Sequence, residues 1–184
     1  KACLAKDPNY APALNELAGL HYRNMQYEKS LAAAGNSLAI NSYDAQANFI
    51  YALANLKTGN ITDAKDGFDM AALNTSYRSA AFMELAKIYF RENSLQQAAE
   101  YAGKSLRNNE DNTDAYQLLA LIYRKQKDEH AAKQILEKIK MIDPLTHFAD
   151  AEKYIWSNTE ADKNAMIAAI RNELPEQIYL SQGI

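Results

Sequence analysis

Apolar side chains recur along most of the chain at i, i+3, i+4 and i+7, as at Phe82, Leu85, Ala86 and Tyr89, which gathers them on one face of a helix. A second run with the same spacing follows: Leu95, Ala98, Ala99, Ala102 and Leu106. Short polar stretches separate such pairs, namely Asn24-Met25-Gln26, Thr58-Gly59-Asn60, Glu92-Asn93-Ser94 and Lys125-Gln126-Lys127. Each pair with its turn reads as a helical hairpin.

The hairpins share one period. Steps of 34 residues link Ala13, Ala47, Ala81, Ala115 and Ala149, then Leu17, Tyr51, Leu85 and Leu119, then Ala18, Ala52, Ala86 and Ala120, without an insertion. Ser30, Ala64, Ala98 and Ala132 form another register, as do Ser37, Ala71, Ser105 and Ile139. Small residues return where small residues stood, as expected if hairpins stack and bury each other's faces. A lone hairpin cannot offset the ordering cost of its backbone, of order 1–2 kcal/mol per residue, so neighbours must supply the rest.

A unit of this length with Leu-Gly/Ala, Tyr, Ala, aromatic, Ala and Pro at set spacings resembles the tetratricopeptide-repeat (TPR) family. The third and fourth units match best, in FMELAKIYFRENSLQQAAEYAGKSL and YQLLALIYRKQKDEHAAKQILEKIKMIDP. The resemblance implies an all-α fold, a right-handed α-solenoid of antiparallel helical hairpins. Four units are expected within 9–146, at 11–44, 45–78, 79–112 and 113–146, with Pro8 and Pro144 in the family's closing-proline slot. The chain departs from the pattern in three ways: Ala replaces Gly at the close-contact slot, His21 and Asn55 stand where Tyr is usual, and Ser42, Ser76 and Glu110 replace the closing Pro. Alanine is the next smallest side chain and the better helix former, so close packing survives.

Beyond Thr146 the register decays, with Tyr154 in the close-contact slot and Trp156 out of phase. A divergent fifth hairpin is expected over 147–174, its second helix capped by Asn158 or Thr159 and ended by Pro175. Residues 1–8 read as the end of a truncated preceding helix and 175–184 as the start of a further one. The phrases DPLTHFADAEKY and RNELPEQIYL are similar to the TPR region of large multidomain bacterial proteins that join such arrays to a β-rich domain.

Six Gly and four Pro in 184 residues, with abundant helix formers, agree with helices joined by short turns. A net charge of -3, mixed along the chain, offers no footprint for nucleic acid or an anionic membrane. RNA-binding hairpin arrays would show a 35-residue period and a basic groove, and neither is present. No apolar run approaches the ~20 residues of a membrane span. Cys3 alone leaves cytoplasm and periplasm both open. The three histidines, His21, His130 and His147, lack the spacing of a zinc site, and the glycines form no phosphate-cradling loop. No catalytic residue, cofactor or metal is expected, and the sequons at Asn60 and Asn74 read as ordinary polar turns.

What remains is a groove. Family resemblance assigns the second, fifth, ninth, twelfth and thirteenth positions of each unit to a concave face. These include Asn15, Tyr22 and Arg23; Phe49, Leu53, Leu56 and Lys57; Met83, Lys87, Phe90 and Arg91; and Gln117, Leu121, Arg124 and Lys125. The apolar members are many for a solvated surface and point to a protein or peptide partner anchored by aromatics such as Phe49, Phe90 and Tyr22; the alternative for any one of them is packing between adjacent first helices. The cations Arg23, Lys57, Arg91, Arg124 and Lys125 form a basic edge that suits an acidic peptide or, alternatively, complements the helix dipoles. A carboxylate clamp for chaperone tails is absent, since the corresponding positions hold Asn15, Gly19, Ile50, Ala80 and Glu84. The expected function is a non-catalytic protein-interaction scaffold. The rival is an accessory arm of a larger multidomain bacterial protein, such as a carbohydrate-related enzyme, whose other domains fill the groove. Exposed terminal helices give a route to weak homo-oligomers.

Overall fold

The computed structural model describes residue 4, residues 6–157 and residues 159–173, side chains of 169–173 excepted. Cys3, Asn158 and Pro175, and with them the helix expected over 175–184, lie outside the described residues. Ten helices and no strand occur among those described: α1 (Ala11–Arg23), α2 (Tyr27–Ile40), α3 (Ala45–Thr58), α4 (Ile61–Ala71), α5 (Thr75–Arg91), α6 (Leu95–Asn108), α7 (Thr113–Gln126), α8 (Glu129–Ile142), α9 (His147–Ser157) and α10 (Glu160–Glu173). They fall into two compact units, one ending at Glu110 and the other beginning at Asp111. The first holds α1–α6 as three hairpins, the second α7–α10 as two.

The small registers explain the hairpins. Ala18, Ala52, Ala86 and Ala120 are buried, as are Ser30, Ala64, Ala98 and Ala132 on the facing helices. With so little side chain between them the helices approach closely, and Ser30 Oγ reaches across to donate to Ala18 O at 2.9 Å. In the second hairpin the closest approach falls to Gly67, where an added Cβ would lie 2.9 Å from Ala52 Cβ and 3.0 Å from Asn48 O. Gly67→Ala is therefore expected to lose about 1–2 kcal/mol net, overpacking outweighing the gain in helix propensity. Urea unfolding followed by circular dichroism checks this; a stabilised variant would show that the two helices part without cost.

The turns share one geometry. Met25, Gly59, Asn93 and Lys127, one period apart, all take the left-handed conformation, with φ of 59, 89, 60 and 61°. The next residue then donates back five positions, Gln26 N to His21 O, Asn60 N to Asn55 O, Ser94 N to Tyr89 O and Asp128 N to Tyr123 O, each at 2.9 Å. This is a Schellman closure, satisfying carbonyls that a helix end would leave open. N-termini are met by side chains: Asp44, Asn112 and Asp128 accept from the third amide on, and Asn74 from Ser76 N.

Asn74 has a further effect. The repeat count sets the third unit at Ser79, but α5 begins at Thr75, one turn earlier. With serine rather than proline at 76 and an asparagine cap at 74, nothing forbids the extra turn. Arg78 within it donates to Ala72 O and Leu73 O, closing the end of α4.

The densest core lies in the first unit. Phe68, Ala71, Ala72, Ala81, Leu85 and Ile88 pack together with Ala52 and Ala64, filling the seam where α4 meets α5. In the second unit Ala120, Leu136, Ile139 and Ala149 form a smaller cluster, flanked by Tyr116, Ile135 and Phe148. At the start of α10, Thr159 Oγ1 accepts from Asp162 N at 3.2 Å, and the Asp162 carboxylate accepts from Ser157 and Thr159 hydroxyls. These donors, with Lys153, hold Asp162 at a pKa of about 2.

Candidate functional site

The registers assigned to the concave face separate by depth. In the first unit the fifth register turns inward. Asn15 is 3% exposed and donates through Nδ2 to Asp44 Oδ1 at 3.0 Å, tying α1 to the cap of α3. Met83 is 5% exposed. Phe49 lies in an aromatic cluster, with ring centroids 5.5 Å from Phe68 and 5.5 Å from Tyr77, the latter supplied by the extra turn of α5. Asn15 and Phe49 thus contact the following elements, and Met83 is buried.

The twelfth and thirteenth registers turn outward together. Tyr22, Leu56 and Phe90 are half-buried at the ends of α1, α3 and α5, and the neighbouring Arg23, Lys57 and Arg91 are exposed. Leu53 and Leu56 rest on the core below. Tyr22 packs on Tyr27 at 5.7 Å, and burial, then Tyr27 and Glu84, raise its phenol above the ordinary value. It stays a neutral donor at physiological pH. Glu84 in turn pairs with Lys87 at 2.8 Å, so that cation is already engaged on this face.

The other end of the face is acidic. Gln46 Nε2 donates to Glu16 Oε1 at 3.1 Å, Asp44 caps α3, and burial followed by the charges of Asp44 and Glu16 raises the phenol of Tyr77. Each first helix of the first unit carries a cation in its last turn, Arg23, Lys57 and Arg91, which complements its dipole, whereas at the starts only α3 has an acid, its cap Asp44.

In the second unit Gln117 and Leu121 are half-buried on α7 and Lys125 is exposed. Arg124 is spoken for: its guanidinium lies 3.2 Å from Glu152 of α9, whose side chain is 5% exposed. Glu152 lies in the divergent fifth hairpin, which the repeat pattern does not phase. Its role could be suspected only from an acid set among apolar residues of one helix face. Among the described residues no three His, Cys, Asp or Glu side chains converge as a metal site would require, and no described helix is long and apolar enough to cross a membrane.

Helical hairpins stacked through small-residue seams define an α-solenoid, a fold that serves as a protein-interaction scaffold. The tetratricopeptide-repeat description matches residues 113–144. Among solved structures the chain is similar to MamA, at 22% identity and TM-score 0.71 over 78% of this chain and 84% of that one. It is similar also to pilF of Pseudomonas aeruginosa, at 21% and 0.78 over 90% and 76%. YrrB, described as a TPR protein with an unusual peptide-binding site, aligns at 17% and 0.69 over 99% and 96%. No curated protein matches the chain. Residues 113–144 thus carry a tetratricopeptide-repeat signature, and the described chain has the fold of tetratricopeptide-repeat proteins. Such proteins are generally non-catalytic scaffolds that bind protein or peptide partners.

Proposed function

We propose that the first unit is a non-catalytic scaffold that binds a polypeptide segment, extended or helical, across the ends of α1, α3 and α5. One observation carries the reading: a half-buried apolar side chain beside an exposed cation recurs at Tyr22–Arg23, Leu56–Lys57 and Phe90–Arg91. Apolar anchors supply affinity and the cations favour a segment rich in acid. YrrB, which shares the fold, is named for a peptide-binding site, and this supports the reading by analogy of fold. Leu121 and Lys125 are the corresponding contacts proposed for the second unit.

Panning a random peptide library on the whole chain should enrich segments that combine aromatic or aliphatic residues with Asp or Glu. Tyr22→Ala with Phe90→Ala is expected to weaken an enriched peptide by about tenfold or more. Reversal of Arg23, Lys57 and Arg91 to Glu should weaken it chiefly at low salt. Peptides that bind both variants as tightly as the native chain would remove the site from this face. If no peptide is enriched, the groove is better assigned to other domains of a larger protein.

A further inference from the structure

The fold leaves the cations at the ends of α1, α3 and α5 unmatched. Arg23, Lys57 and Arg91 are exposed and enter no ion pair or side-chain hydrogen bond among the described residues. Lys65, Lys87 and Lys104 of the same unit, by contrast, pair with Glu92, Glu84 and Glu100 at 2.8, 2.8 and 2.7 Å. The other unpaired cations of the unit, Lys6, Lys29 and Arg107, do not recur with the period: Ile40, Asp63 and Leu73 stand 34 residues away. The helix dipole acts on every helix, yet it does not account for this selectivity. All three first helices carry a basic residue in the last turn, whereas of the second helices α2 and α4 carry none and only α6 does, with Arg107. Glu84, whose charge reaches Tyr22, is already neutralised by Lys87. A row of positive charge results, one per hairpin, each beside a half-buried apolar side chain.

The spacing of that row selects a backbone. Gly19 of α1 faces Ile50 of α3, and Phe49 of α3 meets Tyr77 of α5, so the three first helices pack in sequence. Packed helices lie about 8–10 Å apart. A polyproline II segment rises about 3.1 Å per residue with three residues per turn, and so returns a side chain to one face every third residue, about 9.3 Å on. A β-strand returns one after about 6.6 or 13 Å, out of step with the row. An α-helix comes back into step after seven residues, about 10.5 Å, but it rests on an apolar stripe about 100° wide, more than one row of side chains. The next row, one turn back along the first helices, holds Gly19, Leu53 and the paired Lys87. Only the outer row is apolar throughout.

We infer, resting on the reading of this face as a peptide site, that the bound segment is a polyproline II stretch with a carboxylate at every third residue, one each for Arg23, Lys57 and Arg91. In each turn one side chain meets a cation, one meets Tyr22, Leu56 or Phe90, and the third faces solvent, where proline can hold the backbone.

Three end-blocked, fluorescently labelled nonapeptides test this on the whole chain by polarisation. The first repeats Leu-Pro-Glu three times, the second has the same composition with its three Glu gathered at one end, and the third is the first with Gln in its middle turn. At low salt the periodic peptide is expected to bind about fivefold or more tightly than the gathered isomer, an advantage that salt removes. Lys57→Gln, a change at an exposed position, should weaken the periodic peptide about two- to fivefold and leave the Gln-bearing peptide unaffected. The middle turn meets Lys57 whichever way the peptide runs. The inference is overturned if the periodic peptide fails to bind, if the gathered isomer binds as tightly, or if Lys57→Gln weakens the periodic and Gln-bearing peptides equally. In those cases the face remains a peptide site so long as Tyr22→Ala with Phe90→Ala weakens library-selected peptides; if it does not, both readings fall.

Discussion

Truncating Phe68 to alanine is expected to lower the stability of the first unit by about 3–5 kcal/mol. The ring is fully buried, meets Phe49 edge-on at 5.5 Å and 68°, and sits among Ala52, Ala64, Leu85 and Ile88. Those neighbours are helical and mostly short, so they cannot collapse into the space without shifting whole helices. The transfer and cavity contributions then add rather than offset. Urea unfolding followed by far-ultraviolet circular dichroism measures the loss, taken from the midpoint at constant slope. A change below about 1 kcal/mol would mean that the seam relaxes around the gap and is not close-packed. In repeat arrays stability resides in the seams between neighbours, and for this reason the seam residue outranks any residue on a single helix.

The second large effect concerns charge. Removing the guanidinium in Arg124→Ala is expected to cost about 1–3 kcal/mol at neutral pH, less than the full penalty for orphaning a buried ion because Arg124 is itself partly exposed. Burial raises the pKa of Glu152, and Arg124 opposes that rise. A carboxyl whose folded pKa exceeds its unfolded value favours the folded state at low pH, and that contribution is lost as pH climbs through the folded pKa. Without Arg124 the folded pKa moves higher still, so the variant should be worst at neutral pH and recover as pH falls toward the ordinary carboxylate value of 4.5. Arg124→Ala with Glu152→Gln should regain most of the loss at neutral pH, since no charge is left to orphan. Urea midpoints read from Trp156 emission across a pH series test both statements. A loss independent of pH, or one that the double variant retains, would show that Arg124 acts through packing alone.

How far the residues announced all this depends on whether size or partner decides a position. Ala18, Ala52, Ala86 and Ala120 were legible because backbone approach fixes side-chain size, and size recurs with the period. The turns were legible in place though not in torsion, since only Gly59 advertises a left-handed residue, whereas Met25 and Lys127 do not. Depth on the concave side was less legible. Asn15 looks like a surface amide until Asp44 is found beside it, and Met83 is as apolar as the half-buried Phe90. The start of α5 escaped a count by thirty-fours because its cause is local, an asparagine cap with no proline behind it.

The left-handed turn residues bear on how such a chain can grow. A glycine stands at one of four equivalent bends, and Met25, Asn93 and Lys127 serve the others, each at a conformational cost of about 1 kcal/mol. Copying a hairpin therefore demands no new glycine, and an ordinary side chain can replace one afterwards without breaking the array. Seams are stricter, because a lost ring there outweighs several such bends. Lengthening by duplication, followed by drift at the bends and restraint at the seams, is the history this pattern of tolerance permits.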